Sequence, residues 1–80
     1  MYFTYILKSQ KDDGYYIGHT IHLEERLKQH NAGKVRSTKG RKPFVIHYFE
    51  NFASKSEAFK REMFFKTVEG RNYLKHNSIL

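Results

Sequence analysis

Blocks of apolar and polar residues follow one another along the 80-residue chain, and they predict five elements. Phe3–Leu7 is rich in β-branched and aromatic residues, and Tyr15–Gly18 is similar in character. Between them lies a polar stretch that ends in an Asp-Gly turn signal. Two such runs around an Asp-Gly pair predict a β-hairpin.

A first helix is predicted after the hairpin, with Thr20 as its N-cap and Asn31 near its end. Glu24 and Glu25 fall early in this helix, where the positive end of the helix dipole favours acidic side chains. Gly33 follows as a stop signal.

A third strand and a second helix are predicted in the second half of the chain. Phe44–Phe52 alternates poorly but is rich in β-branched and aromatic residues, which predicts a strand buried at least in part on both faces. Ser54 and Glu57 have capping-box spacing, in which the hydroxyl and the carboxylate each satisfy backbone N–H groups at a helix start.

The second helix is expected to run to about Glu69, with Gly70 as its terminator. For the tail, Arg71–Leu80, we expect at most one more short helical turn. The order is then β-β-α-β-α with a short C-terminal helix as an option. This order favours the α+β class, with a three-stranded sheet and packed helices in a single domain over residues 1–80.

Composition narrows the function classes. Lys and Arg number 15 against 8 Asp and Glu, so the net charge is +7, and 39% hydrophobic residues exclude a disordered basic tail. The absence of Cys excludes disulfides, thiolate zinc sites and cysteine nucleophiles. We find neither a membrane-length apolar run nor a signal-peptide pattern, and therefore expect a cytoplasmic protein with no membrane partner. Nucleic acid is the first candidate partner for a small basic domain.

The positive charge is most concentrated in residues 34–42, a segment with five cations and no acid that Pro43 closes. These cations are Lys34, Arg36, Lys39, Arg41 and Lys42. They would contact phosphates, and such contacts position a nucleic acid without specifying its sequence. The alternative is a solvated loop that only confers solubility.

Glu62 lies near the middle of an apolar arc on the second helix, at 100° per residue. The apolar members of the arc are Ala58, Phe59, Met63 and Phe65. A carboxylate in that position needs a cation, a metal ion or a water-filled cleft. The simpler alternative is an ion pair with Lys66, one turn later.

Three polar residues, His22, Arg26 and His30, form an i, i+4, i+8 row on the first helix. Arg26 could present its planar donors to a phosphate, or it could be a surface arginine that pairs with Glu25. His19 and His22 form at best a weak metal pair, which disfavours zinc.

Tyr15 and Tyr16 are adjacent on a predicted strand, so at least one of them should face away from the core. A tyrosine hydroxyl can act as a base only when a nearby charge lowers its pKa or when it passes its proton on, and aromatic packing is the alternative. Gly18 allows either the close approach of another group or a simple bend.

The order and spacing of these residues resemble the GIY-YIG nuclease superfamily, in particular its small single-domain bacterial members. The chain is also similar to the catalytic domain of the excision-repair incision subunit. Phe3-Thr4-Tyr5 stands at the first motif with only the tyrosine kept, and Tyr16-Ile17-Gly18 matches the second motif completely. Arg26 stands ten residues after Tyr16, and Glu62 lies in an Arg-Glu-x-x-x-Lys stretch. The resemblance covers roughly Phe3 to Lys66.

The resemblance implies an antiparallel sheet flanked by helices and hydrolysis of phosphodiesters with one divalent ion, Mg²⁺ or Mn²⁺. Glu62 would hold the metal, and Arg26 would stabilise the charge on the scissile phosphate. Tyr5 and Tyr16 would flank the attacking water, with one of them assisting its deprotonation. His30 would position a group or transfer a proton.

The resemblance is incomplete at two points: the first motif lacks its Gly and Ile, and His19 replaces a lysine of some excision-repair relatives. We expect a metal-dependent nuclease that acts on DNA rather than RNA, on branched or nicked structures, with DNA repair as a role by similarity. Target selection would come from the core itself, a homodimer or a partner protein. The alternatives are a non-catalytic nucleic-acid-binding module and a domain whose basic loop meets an acidic protein.

Overall fold

The computed structural model describes residues 1–80 and contains three strands, three α-helices and one 3₁₀ turn. In chain order they are β1 (Tyr2–Ser9), β2 (Tyr15–Thr20), α1 (Leu23–Asn31), the 3₁₀ turn (Lys39–Arg41), β3 (Phe44–Phe52), α2 (Lys55–Phe65) and α3 (Val68–His76). The strands form one antiparallel sheet in the order β2-β1-β3. The predicted α+β class and antiparallel sheet are confirmed. None of the helices combines the length and apolar character that a membrane crossing requires.

The central strand β1 is buried on both faces, because each face of the sheet carries its own apolar cluster. One cluster packs against Leu23 and Leu27 of α1, and its buried members are Tyr5, Leu7 and Phe44. The other includes side chains of α2 and α3, and its buried members are Ile6, Ile17, Phe65 and Leu74. Alternation along β1 sends Tyr5 and Ile6 to opposite faces and so divides the core into two layers.

Strand β3 changes the face that it buries at an irregularity in its pairing with β1. Ile46 pairs with Leu7 and Tyr48 pairs with Ile6, so His47 is the extra residue between them. Ile46 packs with the cluster beside α1, and Tyr48 packs with the opposite cluster. The bulge explains the poor alternation of this segment and confirms the prediction of partial burial on both faces.

Helix α1 begins later than its sequence suggests, so the prediction of Thr20 as N-cap is wrong. The helix starts at Leu23 with His22 as N-cap, and no side chain caps it. Thr20 is still the last residue of β2, and its hydroxyl accepts from the His22 backbone N–H at 3.2 Å. The stop signal is confirmed, because Gly33 has φ 75° and its N–H bonds to the His30 carbonyl.

Ser54 caps α2 as predicted, accepting from the Glu57 backbone N–H at 3.2 Å. The Glu57 carboxylate accepts from the Ser54 hydroxyl at 2.9 Å and not from a backbone N–H, which corrects half of the expected capping box. Helix α2 therefore starts where the pattern placed it.

The end of α2 was predicted wrongly, because the helix stops at Phe65 and Gly70 does not terminate it. Thr67 caps the next helix by accepting from the Gly70 backbone N–H at 3.0 Å, and the tail forms the nine-residue α3. A Cβ atom on Gly70 would lie 1.7 Å from the Phe64 carbonyl oxygen. Gly70 thus serves the close approach of α2 and α3.

Candidate active site

Tyr5 and Gly18 face each other across the β1–β2 pairing. Tyr5 is 1% exposed, and a Cβ atom on Gly18 would lie 2.6 Å from its hydroxyl oxygen and 2.7 Å from Cζ. Gly18 is therefore the close-approach position that was one of its two interpretations. Its lack of a side chain provides the space for the Tyr5 ring.

A chain of buried hydrogen bonds runs from Tyr5 through α1 to the loop after it. The Tyr5 hydroxyl lies 3.1 Å from His30 Nε2, and His30 Nδ1 lies 2.7 Å from the Thr38 hydroxyl. Burial raises the pKa of Tyr5 to about 12. Burial, with the nearby charge of Arg26, lowers the pKa of His30 to about 4. Both groups are thus neutral near pH 7.

Tyr16 lies beside this chain but is only half-buried. Its ring centroid is 5.0 Å from that of His30 and 6.4 Å from that of Tyr5. The neighbouring Tyr15 packs with the opposite cluster, so the two adjacent tyrosines point to opposite faces of the strand. The expectation that at least one of them faces away from the core is wrong, because each face of the sheet carries a core cluster. Of the two tyrosines in the paired motifs, Tyr16 is the more accessible to solvent.

Arg26 projects from α1 toward the same group of side chains. Its Nη1 donates to Gln29 at 2.9 Å, and its guanidinium acts on the Tyr5 hydroxyl, where it partly offsets the effect of burial on the pKa of Tyr5. The expected alternative, a pair with Glu25, does not form, because no acid lies within salt-bridge distance of Arg26. Arg26 borders a cavity of about 170 Å³. Its charge is therefore available to an anion.

Glu62 lies on the buried face of α2 at 7% exposure, and both of its carboxylate oxygens have partners. Oε1 is 2.6 Å from His19 Nδ1, and Oε2 accepts from Lys66 Nζ at 2.6 Å. The ion pair with Lys66 is thus present, and His19 is a second partner that sequence reasoning missed. His19 stands 43 residues away, a distance over which helical or strand periodicity carries no signal.

The apolar arc that surrounds Glu62 is narrower than expected. Ala58 and Phe65 are buried with Glu62, whereas Phe59 is 45% exposed and Met63 is 40% exposed. The Phe59 ring contacts the His19 ring edge-on, with centroids 5.4 Å apart. His19, the partner of Glu62, and its neighbour Phe59 line an open groove of about 500 Å³, so Glu62 is linked to that groove through His19.

The donor set around Glu62 suits a hard divalent cation that shares its ligands with a substrate. No group of three His, Cys, Asp or Glu side chains is assembled in the chain, so Glu62 would act as a single carboxylate ligand. A carboxylate offers about four lone-pair positions, and Glu62 uses two. Mg²⁺ keeps several waters and binds through one or two carboxylates plus substrate phosphates, so a single partly free carboxylate fits it.

The basic loop divides into one anchored cation and four exposed ones. Arg41 donates from Nε to Asp12 at 2.8 Å and from Nη1 to the Tyr15 carbonyl at 3.4 Å, which ties the loop to the β1–β2 turn. The Arg41 guanidinium holds the pKa of Asp12 well below its usual range. Of the five cations expected to contact phosphates, Arg41 is thus already held in a salt bridge, and a phosphate contact by any of the five stays a prediction. The other four cations of the basic loop are exposed and lie outside any salt bridge; they are Lys34, Arg36, Lys39 and Lys42.

Comparison with known proteins relates this arrangement to a family. The family model described as the GIY-YIG catalytic domain matches residues 1–75. A UPF0213 protein of Staphylococcus haemolyticus is 45% identical over 75 residues, which cover 92% of this chain and 90% of that protein. A UPF0213 protein of Clostridium perfringens is 46% identical over 69 residues, covering 85% and 73% of the two chains.

A solved structure shows the same fold. The solution NMR structure of a UPF0213 protein from Bacillus halodurans superposes with a TM-score of 0.58 at 33% sequence identity. The match covers 99% of this chain and 85% of the other.

Proposed function

The chain belongs to the GIY-YIG nuclease family, and from that premise we propose that it is a metal-dependent nuclease that hydrolyses phosphodiester bonds in DNA. The observation that supports this proposal is the surroundings of Tyr5, whose ring centroid lies 6.4 Å from that of Tyr16 and whose hydroxyl is near the charges of Arg26 and Glu62. Tyr5 lies on β1, Tyr16 on β2, Arg26 on α1 and Glu62 on α2. The charges of Arg26 and Glu62 both act on the Tyr5 hydroxyl, which supports a single site.

Arg26 is the proposed contact to the scissile phosphate. Its guanidinium has no acidic partner, and it borders a small cavity open to solvent. A planar guanidinium can donate two hydrogen bonds to two phosphate oxygens. As the water oxygen bonds to phosphorus and the ester bond to the leaving sugar oxygen breaks, the added negative charge on these phosphate oxygens strengthens that interaction and lowers the barrier.

Glu62 is the proposed metal-holding residue, with Mg²⁺ or Mn²⁺ as the ion. When bound, the ion would supply Lewis-acid stabilisation of phosphoryl charge. Lys66 is exposed and flexible enough to leave Oε2, whereas His19 is more enclosed and would keep Oε1 oriented. The two partners of Glu62 would thus have different roles, one exchangeable and one fixed.

Tyr16 is the proposed contact to the attacking water. Tyr5 is buried and already bonded to His30, so the half-buried Tyr16 hydroxyl is better placed to accept a hydrogen bond from a water molecule. Tyr5 and His30, which are neutral and hydrogen-bonded to each other, would pack against the Tyr16 ring and hold it in position. The exposed cations of the loop after α1 would hold the flanking DNA backbone through its phosphates.

A non-catalytic nucleic-acid-binding module is the second candidate function, and one observation favours it. Both oxygens of Glu62 are engaged, so metal binding must compete with an existing ion pair. In this case the protein would bind DNA through its basic loop, with a strong dependence on salt, and would not cleave it.

A substrate panel separates the two candidates. Purified protein is incubated with linear duplex, nicked duplex, branched DNA, single-stranded DNA and RNA, each with Mg²⁺, with Mn²⁺ or with a chelator. The proposal predicts cleavage of at least one DNA substrate that needs the metal and is abolished in Arg26→Ala. Salt-dependent binding without cleavage under every condition would establish the binding module instead.

A further inference from the structure

The loop between α1 and β3 places one buried polar side chain against α1. Thr38 is 0% exposed although its neighbours in the loop are largely exposed. Its hydroxyl lies 2.7 Å from His30 Nδ1 and 3.3 Å from the Val35 carbonyl oxygen. Nothing in the sequence pattern distinguishes Thr38, because it sits among solvent-exposed cations.

The hydrogen-bond partners set the direction of each bond around His30. A carbonyl oxygen can only accept, so the single proton of the Thr38 hydroxyl is directed to Val35. His30 Nδ1 is then the donor to Thr38. A neutral imidazole carries one N–H, which makes Nε2 the acceptor and the Tyr5 hydroxyl its donor.

The surroundings of Tyr5, at the other end of this series of hydrogen bonds, agree with the same direction. The positive charge of Arg26 lies near the Tyr5 hydroxyl, and a cation favours an oxygen lone pair, rather than the hydroxyl proton, on the side that faces it. With its own proton directed to His30, the Tyr5 oxygen keeps its lone pairs for the positive charge of Arg26. In the opposite tautomer His30 Nε2 would donate to Tyr5, and the Tyr5 proton would have to point away from His30.

We propose that Thr38 is a positioning residue that holds His30 in the Nδ1–H tautomer and thereby directs the Tyr5 proton to His30, which leaves the lone pairs of the Tyr5 oxygen for the positive charge of Arg26. The effect of Thr38 on catalysis rests on the proposed nuclease function, whereas its effect on the tautomer rests on the hydrogen bonds alone. Thr38 touches neither phosphate nor metal in this account. It acts through His30 and Tyr5 on the orientation of Arg26.

Thr38 can hold a precise position because its own backbone is fixed. Its N–H donates to the Val35 carbonyl at 3.1 Å, and its carbonyl accepts from the Arg41 N–H at 2.9 Å. Arg41 is in turn anchored to Asp12. The loop that carries the exposed cations is thereby also the structure that sets the tautomer of His30.

The direct test is the tautomer of His30, measured by long-range ¹H–¹⁵N correlation in histidine-labelled protein above pH 7. Wild type should show Nδ1 protonated and Nε2 unprotonated. Thr38→Val removes the acceptor and should shift His30 toward the Nε2–H form, while Thr38→Ser should retain the wild-type signal. Thr4→Val is the matched control, because Thr4 is equally buried and bonds only to the Ala58 carbonyl.

An Nε2–H tautomer in wild type would overturn the proposal, whether or not the valine variant folds. An unchanged tautomer in folded Thr38→Val would also overturn it. In the nuclease assay, Thr38→Val should lower kcat about tenfold or more with little change in KM, and Thr38→Ser should restore it. A change in KM alone would contradict the positioning role. Wild-type protein that cleaves nothing would reject the nuclease proposal, and the tautomer would still decide the role of Thr38.

Discussion

The hydroxyl of Tyr5 occupies the space that a side chain on Gly18 would need, since a Cβ atom there would lie 2.6 Å from that oxygen. Tyr5 in turn bonds to His30, so the close pairing of β1 and β2 at Gly18 fixes the position of the buried Tyr5 ring. Gly18 of the second motif is therefore needed so that Tyr5 of the first motif can pack in the core.

Gly18→Ala should therefore destabilise the protein by about 1–3 kcal/mol, because the added methyl group must displace the Tyr5 ring from a packed core. Urea unfolding would measure the change in the free energy of unfolding. Gly40→Ala is the matched control, since no heavy atom lies within 4 Å of a Cβ atom at Gly40. Its effect should stay within about 0.5 kcal/mol. Equal stability of the two variants would refute the packing role of Gly18.

Gly70→Ala should be more damaging than Gly18→Ala. A Cβ atom on Gly70 would lie 1.7 Å from the Phe64 carbonyl oxygen, and backbone cannot yield as a side chain can. We expect a loss of about 3 kcal/mol or more, with separation of α3 from α2. Thermal unfolding and the amide signals of α3 would measure both effects. A variant as stable as Gly40→Ala would show that the junction between the helices is not tightly packed.

Stability should fall as the pH drops from about 6.5 to about 4, in part because of His30. Burial and the charge of Arg26 lower the pKa of His30 to about 4, below the value of 6.5 expected for the unfolded chain. The unfolded state therefore binds more protons in this range, and the contribution reaches about 3 kcal/mol at the acidic end. His30→Gln should flatten the curve of unfolding free energy against pH. An unchanged slope in the glutamine variant would contradict the buried neutral state of His30.

The loop cations should separate into binding and structural classes. Lys39→Ala removes an exposed charge and should reduce the slope of log binding affinity against log salt by about one unit, with unchanged stability. Arg41→Ala breaks a pair with Asp12 and the bond to the Tyr15 carbonyl, and it should lower the free energy of unfolding more than Lys39→Ala does. Unfolding of Asp12→Ala and of the double variant would isolate the pairwise contribution. The same effect on stability from Lys39 and Arg41 would contradict this division.

Local sequence signals predicted the parts of the fold that depend on local contacts. The hairpin, the Ser54 cap and the Gly33 stop each rest on residues within a few positions of one another, and all three are present. Thr20 fails as a cap because pairing with Phe3 keeps it in β2. Gly70 fails as a terminator because its role is set by the Phe64 carbonyl of the preceding helix.

The candidate site was predictable only where a resemblance joined distant residues. The proposed site residues Tyr5, Arg26 and Glu62 lie on three different elements, and no periodicity relates one to another. His19 as a partner of Glu62 and Thr38 as a partner of His30 were missed, because both contacts depend on the tertiary structure. The local sequence around His19 indicates only the end of a strand, and the sequence around Thr38 indicates only a run of cations.

The most direct test of the account is metal-dependent cleavage of DNA by wild type and Glu62→Gln, which keeps the shape of the side chain and removes its charge. Glu69→Gln is the matched control, since Glu69 is exposed on α3. Wild type and Glu69→Gln should cleave with Mg²⁺ or Mn²⁺ and not with a chelator. Glu62→Gln should remain folded and bind DNA but lose at least about a hundredfold in rate. Equal cleavage by Glu62→Gln and wild type, or cleavage that persists without metal, would contradict the account.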